Sequence, residues 1–350
     1  MRNLHNVISL ENALQLNDAV CIDVRSPLEY GQGHIPGAIN IPIFNDDERA
    51  LVGTTYKVAG QEKAKQQGLS IVSPKLPEIV SQINMYYKAD KKIIVYCWRG
   101  GMRSKSIVNI LGLMGIPAFQ LIGGYKSHRR LVIDKLATFS LKPAIVMLCG
   151  STGVGKTSIL NKLAEKSIPV LDLEKLANHR GSAFGQIGLG QPATAQSFDS
   201  DILNKLQELN EKDFIVLECE SKRVGNVYVP DVLYQKMQEG IKILLTAEMD
   251  IRITRLINEY TDVYLKNKHK IEMSLEILRP RLGSKKTDKL LADLALGKIR
   301  DVVQLLLTDY YDPLYGYGKS KTISYENTIC ANDLDEATTK IIDFLQQLRR

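Results

Sequence analysis

Residues 144–164 read AIVMLCGSTGVGKTSILNKLA. An apolar run ending in Cys149 passes directly into Gly150-Ser151-Thr152-Gly153-Val154-Gly155-Lys156-Thr157, and apolar residues recur at helical spacing beyond it. A buried strand, a glycine-rich loop and a helix start let backbone N–H groups converge on a diphosphate. Lys156 adds a point charge, and the Thr157 hydroxyl can reach Mg²⁺. This stretch predicts a P-loop domain of α/β class, with a parallel sheet behind the loop. The acid that completes such a site closes a neighbouring strand. FIVLE ends in Glu218, with Glu220 two residues on, and IPVLDLE offers Asp172 as the alternative. Either acid could instead be an ordinary strand-end cap.

Upstream, AVCIDV (19–24), KKIIVYC (91–97) and AFQLIGG (118–124) read as buried parallel strands, while LPEIVSQINMYYK (76–88) and SKSIVNILGLMG (104–115) carry helical spacing. A second α/β domain therefore precedes the P-loop domain. The boundary falls in LVIDKLATFSLKP (131–143), giving domains over 1–135 and 140–350, the latter with a helical, basic C-terminal part. A chain of 350 residues is long enough for two cores.

YCWRGGMRSKS (96–106) sits between one of these strands and one of these helices. A thiol at a helix N-terminus has backbone donors and the positive dipole end beside it, which favour the thiolate and hold an anion. Arg99 and Arg103 add positive charge, and Gly100 and Gly101 allow the backbone to curl. The loop reads as a cradle for a tetrahedral anion with Cys97 at its base. His34 reads as a residue that holds its turn, and Asp23 and Arg25 as scaffold at a strand end, with Glu29 as ionic partner.

The segment IDVRSPLEYGQGHIPGAINIP (22–42) together with CWRGGMRS resembles the rhodanese family, whose loop cysteine carries a chalcogen. Five residues separate Cys97 from Arg103, one more than in simple sulfurtransferase loops and the same as in the Cys-x5-Arg loop of tyrosine-type phosphatases. With LDLEKLANHRGSAFG (171–185), LECESKRVGNVYVP (217–230), RITRLINEY (252–260) and YYDPLYGY (310–317), the whole chain resembles the tRNA 2-selenouridine synthases. That resemblance implies exchange of sulfur for selenium at the 2-thiouridine wobble position of tRNA. It implies S-geranylation by geranyl diphosphate at the P-loop, with Mg²⁺, and then selenium transfer from selenophosphate, as a selenylsulfide on Cys97. A selenophosphate-supplying enzyme is the implied partner. A nucleotide-regulated sulfurtransferase or Cys-x5-Arg phosphatase, and a non-catalytic RNA-binding scaffold, are the rival readings.

The net charge of +7 is compatible with a polyanionic partner. The densest basic stretch, 266–289, offers Lys266, Lys268, Lys270, Arg279, Arg281, Lys285 and Lys286 to tRNA phosphates, or else a solvated helix face. KSHRR (126–130) is a smaller one. Tyr310, Tyr311, Tyr315 and Tyr317 could stack on an anticodon base or form a turn cluster, and Trp98 could line a nucleobase pocket or lie buried under its loop. Five scattered cysteines form neither a disulfide framework nor a zinc spacing. No apolar run approaches a membrane span and the N-terminus carries no signal-like core, so a cytoplasmic protein is expected.

Overall fold

The computed structural model describes residues 6–315 and 324–348, with the side chains of residues 261–265 and of Tyr315 outside the described set. The chain divides into two units, Met1–Lys135 and Leu136–Arg350.

In the first unit, β1 (Asn6–Ile8), β2 (Ala19–Asp23), β3 (Ile39–Asn40), β4 (Lys92–Tyr96) and β5 (Ala118–Leu121) form a parallel sheet in the order β1-β5-β4-β2-β3. Along β4, Ile93 and Val95 pack with Ile107 and Leu111 on one face, while Ile94 and Tyr96 pack with Leu121 and Tyr125 on the other. Burial on both faces is why KKIIVYC is apolar without alternation. Helix α1 (Met102–Leu113) begins five residues after Cys97, so the cysteine loop lies at the C-terminal end of the central strand β4, facing a helix start. β1 and β3 are too short to carry a pattern of their own. They exist because β5 and β2 supply their hydrogen bonds.

In the second unit, β6 (Ala144–Cys149), β7 (Val170–Leu171), β8 (Phe214–Glu218), β9 (Ile241–Thr246) and β10 (Asn327–Cys330) form a parallel sheet in the order β10-β9-β6-β8-β7. Helix α2 (Lys156–Glu165) leaves the P-loop. Leu148 of β6 pairs with Glu218 of β8, so the two strand ends deliver the loop and an acid side by side. Helices α3 (Met249–Leu282), α4 (Ser284–Ala295) and α5 (Ile299–Leu306) make a separate apolar core in which Ile253, Leu275, Leu290, Val302 and Tyr311 meet. Contact between Ile253 and residues a full helix further along α3 is possible because α3 is broken at Asn267, whose φ of −130° and ψ of 21° are not helical.

Candidate active sites

In the first unit the Cys97 thiol is 3% exposed. Its Sγ accepts the Gly101 N–H at 3.2 Å and lies 3.3 Å from the Ser104 hydroxyl. Burial opposes ionisation, but the Ser104 hydrogen bonds, the Arg103 charge and the Gly101 N–H outweigh it and hold the thiol below its ordinary value. The side-chain amide of Gln120 donates to the Gly100 and Gly101 carbonyls at 2.8 and 3.0 Å and to Ser104 Oγ at 2.9 Å. By holding those carbonyls it leaves the N–H edge of the loop for an anion. Gly100 is left-handed at φ +64°, and a Cβ on it would lie 2.5 Å from the Leu121 carbonyl. A Cβ on Gly124 would lie 2.2 Å from the Cys97 carbonyl. Gly101 differs from the expectation: its φ is −99° and a Cβ there meets nothing within 4 Å, so Gly100 and Gly124 carry the curl.

The ion pairing also differs. Arg25 is held by Asp23, with bonds of 3.0 and 2.6 Å, and lies 4.2 Å over the Tyr125 ring. Glu29 instead takes Arg103, at 2.5 and 3.1 Å. Asp23 is two residues from Arg25 on the same strand end and satisfies it locally, which leaves Glu29 to orient the loop arginine. Although burial works against it, Arg103 holds the Glu29 carboxyl below its usual range. Arg99 is exposed. Trp98 is half-buried, 5.7 Å from Tyr125 and 5.9 Å from the Arg25 guanidinium, packed against the core below the loop. His34 stacks on Tyr30 at 3.8 Å and shares a hydrogen bond of 3.1 Å with the Tyr30 carbonyl.

In the second unit Gly150, Gly153 and Gly155 have φ of 149°, 79° and 100°. A Cβ on Gly150 would lie 2.6 Å from the Leu245 carbonyl, which ties the start of the loop to β9. Lys156 Nζ donates to the Gly150 carbonyl at 2.9 Å and curls over the loop. Two arginines that the sequence reading missed brace the loop from outside. Arg252 donates to the Thr152 carbonyl at 2.9 Å and Arg255 to the Val154 carbonyl at 2.8 Å. Ser151 and Thr152 are half-buried and Val154 is buried.

Glu218 is 5% exposed and hydrogen-bonds the Thr157 hydroxyl, while its Oε1 has no partner. Asp172 is engaged otherwise: its Oδ1 caps the helix Leu173–Ala177 by accepting the Lys175 N–H at 2.8 Å. Glu218 is therefore the better fit for the metal-side acid, and Asp172 has the capping role. Glu174 and Glu220 join them around Lys156. Burial and the neighbouring Glu218 and Glu220 push Glu174 up to about 9, and burial and Glu218 push Glu220 up to about 7. Gly181 covers this pair, since a Cβ on it would lie 2.8 Å from Glu174 Oε1 and 3.2 Å from Glu220 Oε2. Among the described residues no group of three or more His, Cys, Asp or Glu is arranged to hold a metal ion by itself. A Thr hydroxyl, one carboxylate and substrate oxygens remain a sufficient donor set for Mg²⁺.

An apolar cavity of about 260 Å³ opens beside Thr152, lined by Leu256, Ile257, Tyr260, Val302 and Leu306 among others. Burial and the Glu259 charge push the Tyr260 hydroxyl up to about 12.

In the basic stretch Lys266, Lys268, Lys270 and Lys285 are exposed. Arg279 is already paired with Glu276 and Asp288, each at 2.7 Å, and Lys286 with Asp309 at 2.8 Å. These two have local counter-charges in place of the free surface expected of them. Arg281 donates to the Tyr310 hydroxyl at 3.1 Å. The Tyr315 side chain and all of Tyr317 lie outside the described residues. No described helix is long and apolar enough to cross a membrane.

Fold and loops together define a rhodanese domain joined to a P-loop domain in one chain. Residues 7–130 match the rhodanese-like domain model, and residues 143–349 match the tRNA 2-selenouridine synthase AAA domain model. The tRNA 2-selenouridine synthase of Pseudomonas syringae pv. syringae (strain B728a) is 34% identical over 336 residues, covering 87% of this chain and 90% of that protein. That of Nitrosomonas europaea is 37% identical over 264 residues, covering 74% of this chain and 68% of that protein. Among solved structures, the N-terminal domain of a putative ATP/GTP binding protein from Clostridium difficile 630 is 44% identical, covering 37% of this chain and 99% of that one, with a TM-score of 0.36. The chain belongs to the tRNA 2-selenouridine synthase family.

Proposed function

We propose that the protein is an enzyme of tRNA modification that exchanges sulfur for selenium at the 2-thiouridine wobble position, by S-geranylation at the P-loop followed by selenium transfer at Cys97. The observation that carries the first half-reaction is the apolar cavity beside Thr152. A nucleotide bound at the loop would require polar groups for its base and ribose, whereas this lining suits a hydrocarbon chain and gains about 0.8 kcal/mol per buried methylene. Geranyl diphosphate fits both features, a diphosphate for the loop and an isoprenoid for the cavity. The nucleotide-regulated sulfurtransferase is less well supported for the same reason.

In this reading the thiocarbonyl sulfur attacks C1 of the geranyl group, the C1–O bond breaks, and the electron pair leaves with the diphosphate. The loop N–H groups and Lys156 stabilise the charge that develops there. Glu218 and Thr157 would hold Mg²⁺, which supplies further charge neutralisation when bound. In the second half-reaction selenophosphate occupies the cradle above Cys97. Selenium in selenophosphate is already at the selenide level, so the balanced step is attack of the Cys97 thiolate on phosphorus. The P–Se bond breaks and selenium leaves with the bonding pair as hydrogen selenide. Arg99, Arg103 and the loop amides hold the phosphoryl group until water cleaves the S–P bond and restores the thiol. The selenide then adds to C2 of the uracil ring, the C2–S bond breaks, and the geranylthiolate leaves and takes up a proton as geranylthiol. A partner enzyme that makes selenophosphate would supply this site, and the work would be done in the cytoplasm. Mass analysis of nucleosides from 2-thiouridine tRNA incubated with both co-substrates tests the whole reading. S-geranyl-2-thiouridine followed by 2-selenouridine is the expected course, and absence of the geranylated species would overturn the first half-reaction.

A further inference from the structure

Next to the apolar cavity is a second pocket of about 400 Å³, lined by Gly181, Ser182, Arg281, Tyr310, Tyr311 and Leu314 among others. The two share Ser182 and Tyr311, so they meet at a common wall. Their chemistry differs. Where the first is lined almost wholly by apolar surface and carries no charged side chain, the second has a guanidinium and a phenol joined by a hydrogen bond of 3.1 Å. We propose that this second pocket seats the acceptor nucleotide, an unpaired RNA base with its phosphate, facing the donor across the shared wall. The proposal rests on the reading of RNA as acceptor and geranyl diphosphate as donor.

Four observations carry it. Arg281 pairs with no carboxylate among the described residues, unlike Arg279 two positions earlier with its two acids, so its charge is available to a phosphate. Tyr310 stands edge-on to Tyr311 at 4.9 Å and 77°, which fixes an aromatic face and leaves its orientation little freedom. Ile277 in the lining and Leu314 are 69% and 56% exposed, apolar surface that a flat base would cover. Finally, Gly181 connects the pocket to the reaction centre, because its other side abuts Glu174 and Glu220, whose charges interact with Lys156 of the P-loop. A hydrocarbon would leave Arg281 unsatisfied, and a cation would find no carboxylate in the lining. A nucleotide uses the arginine, the aromatic faces and the apolar rim together.

The test uses the full chain and two separate measurements: affinity for an anticodon stem-loop RNA carrying 2-thiouridine, by fluorescence anisotropy, and affinity for geranyl diphosphate, by calorimetry. Arg281→Ala, which removes a phosphate contact, and Tyr310→Ala, which removes a stacking face, should each weaken the stem-loop about tenfold and leave geranyl diphosphate affinity unchanged. Tyr310→Phe, which keeps the ring, should retain most of the RNA affinity. Loss of both ligands in the alanine variants, or of neither, overturns the assignment. An unaltered chain that binds the stem-loop through these residues but not geranyl diphosphate would instead overturn the donor reading alone.

Discussion

Arg252 and Asp312, 60 residues apart in the chain, form a two-bonded ion pair at 3.0 and 2.6 Å, and the same guanidinium donates to the Thr152 carbonyl. The helical segment that presents Tyr310 and Tyr311 is thereby fastened to the phosphate loop. Arg252 is 7% exposed and Asp312 29%, so removing the arginine strands a carboxylate that water reaches only in part. Arg252→Ala should cost roughly 2–4 kcal/mol in urea unfolding, below the full cost of a wholly buried pair, and weaken geranyl diphosphate binding. Unchanged diphosphate affinity in a folded variant would show that the brace is structural only.

Cys97 should react as a thiolate at lower pH than an ordinary cysteine. Its ionisation is depressed in the fold, so the anion persists as pH falls below the usual thiol range. The rate of modification by a small alkylating reagent should therefore rise through a midpoint under that of free cysteine. Ser104→Ala, which removes the hydroxyl 3.3 Å away, should move the midpoint upward. Cys97→Ser should abolish 2-selenouridine formation while S-geranylation continues.

Lys156→Ala should slow geranyl transfer about 10²–10³-fold, the usual effect of losing one donor to a developing anion. Selenation of tRNA that already carries the geranyl group should be largely retained. Comparing the two half-reactions in one variant separates the sites, and equal damage to both would mean that one loop serves both steps.

Gly124→Ala should disable the selenium step. The added Cβ would sit 2.2 Å from the Cys97 carbonyl at a residue whose φ is +57°, so the cysteine loop must move. Gly101→Ala has open space and should be tolerated far better. A 2-selenouridine assay on the pair decides whether close backbone approach shapes the cradle.

Neutralising Lys266, Lys268 and Lys270 together should reduce the magnitude of the negative slope of log K against log[salt] for tRNA by about two to three units. Arg279→Ala should change it little, because that charge is already engaged by Glu276 and Asp288. Filter binding over a salt series gives both slopes.

Much of the fold was legible because parallel strands buried on both faces must be apolar along their length. KKIIVYC and AIVMLC could scarcely be anything else, and the glycine loops that follow them marked both sites. β3 and β7, two residues each, left no such pattern, since neighbouring strands define them. The pairing of Glu29 was misread for a related reason. Charge and proximity in sequence suggested Arg25, but Asp23 satisfies that arginine within its own strand end.

The sequence by itself determined the chemistry of the two loops: a thiol among cations at a helix start, and backbone donors with a lysine and a threonine around a phosphate site. These are local devices, formed from residues within a few positions of one another, so adjacency in the chain is enough to read them. Only the tertiary structure decided what surrounds them. Gln120 turns the Cys97 loop, Glu29 aims Arg103, Arg252 and Arg255 brace the P-loop, and Glu174 joins Glu218 and Glu220. The apolar cavity likewise draws its walls from α3, α4 and α5. Such groups come together because helices and strands distant in sequence pack to bury their apolar faces, and a polar side chain carried along is placed by that packing, with no trace in its own neighbourhood of the chain.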